Sequence, residues 1–142
     1  MLRNSPPAIV AMLVAFACSD VGGPSPEVDG AYALSNLNGF TLPYDHEGLG
    51  CCTYLDGGLA LDDFHYTAWL TARNRNTGLV FTVSEQGTFD LTGSTITFTR
   101  VSFQVQPLLL SSATVSGNLI TLLFGGEGPG APDQFVGVFV RE

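Results

Sequence analysis

Residues 87–98 read GTFDLTGSTITF, and this stretch decides the fold class of the chain. Two short runs rich in Thr, Phe and Ile flank Gly93-Ser94, and glycine at the first turn position suits the type II′ turn of a β-hairpin. The stretch therefore predicts a hairpin with strands at residues 88–92 and 95–99. The same turn chemistry recurs at Gly117-Asn118, which we interpret as one turn type used twice in a meander rather than as a duplicated binding unit.

The rest of residues 30–142 continues this pattern. Short runs of β-branched and aromatic residues alternate with Gly, Asn and Asp, and no window shows the period of an amphipathic helix. Asn38-Gly39 is a strong hairpin signal, and Asp62-Asp63 is a weaker one. The other predicted strands cover residues 31–37, 59–61, 64–73, 79–85, 119–124 and 135–141. The pattern predicts an all-β fold built as an antiparallel meander.

Two further patterns concern the faces of these strands. Residues 101–106 read VSFQVQ, an alternation that predicts a strand with Val101, Phe103 and Val105 on one buried face. Residues 119–124 and 135–140 are instead apolar on both faces. Such strands fit a closed sheet whose outer side meets a cover, a ligand or another copy. They also fit a central strand of a β-sandwich.

Composition and charge restrict the class of partner. The chain has 142 residues, enough for one domain, and only 13% of them are charged. Five arginines and no lysine stand against 13 acidic residues, for a formal charge of −8. Nucleic-acid binding needs clustered basic residues to replace phosphate counterions, so it is excluded. Electrostatic attachment to anionic lipid is excluded for the same reason.

The N-terminus reads as an export signal. Residues 8–18, AIVAMLVAFAC, form an apolar run that is too short to span a membrane but fits the core of a signal peptide. The sequence VAFAC resembles a bacterial lipobox, which predicts a signal peptide at residues 1–17 and lipid attachment at Cys18. Residues 18–29 then form a flexible tether to a β domain at residues 30–142. The expected location is the cell envelope, anchored to a membrane; a soluble secreted protein is the alternative.

Several short motifs resemble secreted bacterial lipocalin-like domain proteins, many of which are lipoproteins of unknown role. These motifs are GAYAL at residues 30–34, GTFDLTGSTITF at residues 87–98, and the closing Phe139–Arg141 segment. The resemblance implies a small antiparallel barrel of about eight strands, with a β-sandwich as the alternative. It also implies a structural pair of Tyr32 and Arg141, in place of the Trp and Arg that lipocalins pack together.

Two adjacent cysteines offer a thiol site. If Cys18 is acylated, Cys51 and Cys52 remain in an oxidising compartment, and we expect a vicinal disulfide ahead of free thiols or an intermolecular bond. A metal site would need His46, Cys51, Cys52 and His65. Neighbouring side chains in a strand point to opposite faces, so we predict no metal and no cofactor.

A ligand pocket and a function complete the expectations. The aromatic residues predicted to line a pocket are Phe64, Tyr66, Trp69, Phe81, Phe98 and Phe103. No enzyme motif is present, so we expect non-catalytic binding of a small apolar ligand inside a barrel. The alternative is a structural or protein-interaction module of the envelope whose barrel is filled by side chains. The third hypothesis is a thiol or metal site around Cys51 and Cys52.

Overall fold

The computed structural model describes residues 27–45, 51–125 and 134–142. The predicted signal peptide, Cys18 and His46 lie outside this part of the chain. The described residues form ten strands and no helix: β1 (Gly30–Leu37), β2 (Phe40–Thr41), β3 (Tyr44–Asp45), β4 (Cys52–Asp62), β5 (His65–Asn74), β6 (Val80–Thr92), β7 (Thr95–Gln104), β8 (Ser112–Ser116), β9 (Leu119–Phe124) and β10 (Phe135–Arg141). Across these ranges, nothing has the helical length and hydropathy needed to cross a membrane.

The eight longer strands close into an antiparallel barrel. Consecutive strands from β4 to β10 pair in chain order, and β1 pairs with β10 on one side and β4 on the other. The two-residue strands β2 and β3 extend the pairing at one end of the barrel. The predicted all-β meander is therefore confirmed, and it closes into the barrel rather than the sandwich.

The tight turns follow from residues that tolerate a left-handed backbone. Asn38 and Gly39 have φ of 51° and 83° between β1 and β2, and Gly93 has φ of 61° between β6 and β7. The turn after β4 falls one residue later than predicted, since Asp63 and Phe64 carry the positive φ angles, 47° and 62°. Phe64 consequently lies exposed at a turn instead of beginning a strand.

Strand β6 is longer than predicted. Residues 80–85 and 88–92, which belong to two predicted strands, form one strand; its pairing with β7 shifts between Gln86 and Gly87 because β7 carries one extra residue, Val101. A Cβ on Gly87 would overlap the carbonyl oxygen of Thr99, so only glycine allows β7 to come this close. A bulge bends its strand without ending it. The extra residue lies in β7, so β6 stays paired through Gln86 and Gly87, where the glycine predicts a break.

The predicted burial of the VSFQVQ strand is wrong. Val101 and Val105 are each 73% exposed, and Phe103 is 49% exposed. Val101 is the extra residue of the β-bulge in β7. The side chains before and after it therefore do not continue one inward-facing set, and the apolar residues of this stretch do not share a buried face. Pairing with β8 ends at Thr97, so this half of β7 has no second neighbouring strand among the described residues.

The connector between β7 and β8, residues 105–111, fills the space that this gap leaves. The amide of Gly125 donates to the carbonyl oxygen of Leu108 (2.8 Å), and the amide of Ser111 donates to that of Leu123 (2.9 Å). The connector thus lies beside β9 and places Leu108 in the core. The cavity that Leu108 and Leu110 line there has a volume of only about 10 Å³. Within the described residues, the barrel interior is filled by side chains.

Candidate functional site

The two ends of the barrel differ. The tight turns at Asp63-Phe64, Gly93-Ser94 and Gly117-Asn118 lie at one end, the base. The opposite end, the mouth, carries the longer connections and holds a cavity of about 100 Å³. Its wall is mostly apolar, with the polar Gln106, and includes Cys52, Leu108 and the four aromatic residues Tyr54, Phe81, Phe124 and Phe135. The mouth is therefore the candidate functional site.

A row of five aromatic rings leads from solvent into the mouth. Phe40 stacks on Tyr44 with ring centroids 5.4 Å apart, and Tyr44 stacks on Tyr54 at 6.5 Å. The ring of Phe135 meets Tyr54 edge-on at 5.3 Å and stacks on Phe124 at 5.6 Å. These separations are those of favourable aromatic pairs. We call this row the aromatic ladder; it begins at Phe40, which is 60% exposed, and ends at Phe124 in the core.

The hydroxyl of Tyr54 resists ionisation. Burial raises the pKa of Tyr54 above its ordinary value; the charge of Arg75 lowers it by less, and repulsion from the phenolate charge of Tyr44 adds a smaller increase. Burial disfavours the charged phenolate, and its effect is the largest. Tyr54 therefore presents a neutral ring to a ligand throughout the physiological pH range.

The two adjacent cysteines form the rim of the mouth. The structure joins Cys51 and Cys52 in a vicinal disulfide, with Cα atoms 3.7 Å apart. Cys51 precedes the first residue of β4, so the pair does not lie within one regular strand. Arg75 holds the rim in place: its amide donates to the carbonyl oxygen of Cys51 (2.7 Å), and its guanidinium donates to that of Cys52 (3.2 Å). The same guanidinium pairs with Asp45 at 2.5 Å.

His65 lies too far from the cysteines to share an ion with them. Cys52 pairs with Asn74 at the mouth, whereas His65 pairs with Asp62 at the base. The length of β4 separates the two positions by about 30 Å. The His65 Nδ1 atom instead lies 2.9 Å from the carbonyl oxygen of Asp63. In the part of the chain that the structure describes, no three His, Cys, Asp or Glu residues form a group that could hold a metal.

The structure does not bring the six aromatic residues of the predicted pocket together. Only Phe81 lines the mouth. Tyr66 is buried in the core, where Phe98 packs edge-on against it at 4.9 Å. Trp69 lies on the outer face across Gly58, and the remaining two residues, Phe64 and Phe103, are exposed.

A buried carboxylate is the main feature that the sequence reasoning missed. Glu85 is only 2% exposed. It accepts hydrogen bonds from the Tyr66 hydroxyl (2.8 Å) and from the Leu109 amide (3.0 Å), and Arg100 lies 4.0 Å away. Burial raises the pKa of Tyr66, and the hydrogen bond between Tyr66 and Glu85 makes the next largest contribution to this increase. Glu85 thus ties the connector to the barrel wall. The sequence did hold a signal for its burial: Glu85 lies two residues after Val83 in the same strand, and alternate residues of a strand share a face.

The pair implied by the lipocalin-like resemblance lies at the base. Tyr32 and Arg141 are cross-strand neighbours, and the guanidinium lies 5.3 Å from the centre of the tyrosine ring. Arg141 also donates to the Tyr32 hydroxyl (2.8 Å) and to the carbonyl oxygen of Glu27 (2.6 Å). The Tyr32 hydroxyl in turn donates to the carbonyl oxygen of Val28 (2.7 Å). These contacts fasten the segment before β1 across the base.

In comparisons with family models, with curated proteins and with solved structures, nothing matches this chain. The closed eight-stranded barrel is compatible with a lipocalin-like architecture. A function therefore has to be argued from the mouth itself.

Proposed function

We propose that this protein binds a small, neutral apolar or aromatic group at the mouth of its barrel without catalysing a reaction on it. The aromatic ladder carries this proposal, because it offers an uninterrupted apolar path from Phe40 at the surface to Phe124 in the core. A solvated apolar path of this kind gains free energy when a ligand covers it.

The size of the cavities determines how a ligand would be held. Pockets for whole drug-sized ligands usually exceed about 300 Å³. The mouth offers about 100 Å³, and the filled interior about 10 Å³. A cavity of about 150 Å³ suffices for benzene. The mouth is smaller than that, so the ligand would insert only a narrow part, such as the end of an alkyl chain, with its remainder along the aromatic ladder.

Charge selects a neutral ligand. None of the described residues that line the mouth carries a formal charge. The nearby Arg75 is engaged by Asp45 and by the rim carbonyls. The chain as a whole has a formal charge of −8, which repels anions.

Binding of N-phenyl-1-naphthylamine, a neutral fluorescent probe, tests the proposal. We expect saturable fluorescence enhancement that weakens at least tenfold in Phe81→Ser. Phe64→Ser is the matched control, because it removes an exposed phenylalanine at the base and should leave the affinity unchanged. Equal affinities in both variants, or no saturable binding to the parent protein, would contradict the proposal. Circular dichroism of each variant confirms that the barrel has folded.

The proposed location is the cell envelope, with a lipid anchor on Cys18. The support is the apolar run at residues 8–18 followed by the short polar tether. Labelling with a radioactive fatty acid in the native host should mark the parent protein and not Cys18→Ala. An unmodified mature N-terminus at Ser19 or beyond would show a secreted protein instead.

The outer face of β9 and β10 favours a second candidate function, an interaction module of the envelope. Leu119 and Val136 are exposed on this face, and Leu123, Val138 and Val140 are partly exposed beside them. Their register places them in neighbouring cross-strand pairs. An apolar patch of this kind is typical of a protein contact. Native mass spectrometry of protein purified from its own envelope separates the two functions: a bound small molecule supports the first and a bound polypeptide the second.

A further inference from the structure

The outer surface of the barrel carries a depression that the mouth does not use. It has a volume of about 240 Å³ and lies across β5, β6 and β7. The outer side of a closed barrel is convex, so a hollow there requires a local cause. That cause is the β-bulge of β7, whose extra residue Val101 lies opposite Gln86 and Gly87 and bends its strand.

Most side chains around the depression are uncharged hydrogen-bonding groups, and Phe103 adds one half-exposed aromatic ring. Thr67, Ser84, Gln86, Ser102 and Gln104 supply three hydroxyls and two amides. Each of these groups both donates and accepts. They stand in two cross-strand rows, since Thr67 pairs with Gln86 and Gln86 with Ser102, while Ser84 pairs with Gln104. The amide of Gln86 donates to the Ser102 hydroxyl (2.9 Å), which fixes its orientation.

The one carboxylate in the lining of the depression already has hydrogen-bond partners inside the barrel. Glu85 appears in its wall, but its side chain is buried and accepts hydrogen bonds from Tyr66 and Leu109 inside the barrel. The accessible chemistry is therefore that of hydroxyls and amides beside the aromatic ring of Phe103. Groups of this kind recognise a ligand with many neutral hydroxyls and acetamides of its own.

Trp69 is not part of the depression's lining but lies next to it on β5, with its ring over Gly58 of β4 on the side away from β6, and it adds an aromatic surface. It is the cross-strand partner of Ser84 and lies two residues from Thr67 on the same face. Its ring lies across Gly58, where any Cβ would overlap the indole carbons. Glycine at this position therefore lets the indole pack down on the sheet while part of it stays exposed. Indole offers a flat surface on which the apolar C–H face of a sugar ring can stack.

We propose that this surface, formed by the depression and Trp69, binds a neutral oligosaccharide. Rows two residues apart on a strand are separated by about 7 Å, and adjacent strands by about 4.8 Å. These spacings are comparable to one sugar residue, so adjacent residues of a glycan can engage Trp69 and the amides together. The formal charge of −8 repels acidic polysaccharides, which restricts the class to neutral chains. This site shares no lining residue with the mouth, so a negative result at one site leaves the proposal for the other unchanged.

The chain contains a single tryptophan, so intrinsic fluorescence reports on this surface alone. The probes are maltohexaose, cellohexaose, laminarihexaose and chitohexaose, titrated to about 10 mM so that binding with a Kd of about 1 mM would still saturate, with heparin as an anionic control. We expect a saturable change of Trp69 emission with at least one neutral probe and none with heparin. The double variant Gln86→Ala/Gln104→Ala should weaken that binding at least tenfold, because it removes both amides and leaves the indole.

Thr97→Ala is the matched control, since it removes an exposed side chain of β7 away from the depression. It should bind the probe as the parent does, and an unchanged thermal midpoint shows that each variant is folded. The inference is overturned if no neutral probe changes the emission. It is also overturned if the double variant retains the parent affinity in calorimetry, or if Thr97→Ala weakens binding as much as the double variant.

Discussion

Leu108→Ala tests whether the connector is a packed part of the barrel. Leu108 is buried, and it lines both the interior cavity of about 10 Å³ and the mouth cavity of about 100 Å³. Truncation removes three carbon atoms, which at about 0.8 kcal/mol each amounts to about 2.4 kcal/mol of transfer free energy. The space left behind adds a cavity term, and buried Leu→Ala changes typically cost 2–5 kcal/mol. We expect the free energy of unfolding to fall by about 3 kcal/mol.

The assay is urea denaturation followed by circular dichroism, with Leu79→Ala as the matched control. Leu79 is 68% exposed, so its truncation should change the free energy of unfolding by no more than about 0.5 kcal/mol. The same Leu108→Ala change should join the two cavities and tighten binding of N-phenyl-1-naphthylamine. A loss below about 1 kcal/mol with unchanged probe affinity would refute the view that Leu108 fills the barrel.

Three other changes test separate parts of the structure. Gly58→Ala should destabilise the fold by about 1–3 kcal/mol, because the new Cβ displaces the indole of Trp69. The displacement should also shift the emission of Trp69 to longer wavelength, and an unchanged spectrum would be inconsistent with this packing. Arg141→Lys should lower the free energy of unfolding, measured by heat or urea, by about 1–2 kcal/mol. Lysine lacks the planar guanidinium that contacts both the ring and the hydroxyl of Tyr32. A loss smaller than about 0.3 kcal/mol would contradict a stabilising role for this pair. Tyr66 has a raised pKa in the folded state, so stability is retained below about pH 10 and falls above it as the unfolded phenol ionises. Tyr66→Phe should flatten this alkaline decrease, and an identical slope in both proteins would disprove the assignment.

The turns and the fold class were predictable because they depend on local chemistry. Asn38-Gly39 and Gly93 adopt positive φ angles that few other residues tolerate, so their identity alone indicates a turn. The Thr- and Val-rich runs between turns indicate strands in the same way. These local signals define an antiparallel meander, although they leave its closure undecided.

Features that depend on register were not predictable. Val101 and Val105 alternate with polar residues as buried positions would, yet the extra residue at Val101 and the start of β8 only at Ser112 leave them exposed. The role of Gly58 appears only once its cross-strand partner Trp69 is known. Such outcomes arise from pairings between distant segments, which a single sequence does not specify.

The candidate site was predicted in part. The adjacent cysteines indicated a thiol pair, and the structure places that pair at the rim of the mouth. The aromatic ladder was not foreseen, because Phe40, Tyr54 and Phe135 come from segments far apart in sequence. They meet only where the barrel closes, so their grouping follows from topology and not from a motif.

The most direct test of the account is the chemical-shift change that N-phenyl-1-naphthylamine causes in the NMR spectrum of the ¹³C-methyl- and aromatic-labelled protein. A filled barrel with a ligand site at its mouth predicts shifts at Tyr54, Phe81 and Phe135, while Leu59 and Ile120 in the core stay unchanged. Large shifts at Leu59 and Ile120, with none along the aromatic ladder, would place the ligand inside the barrel and contradict the account.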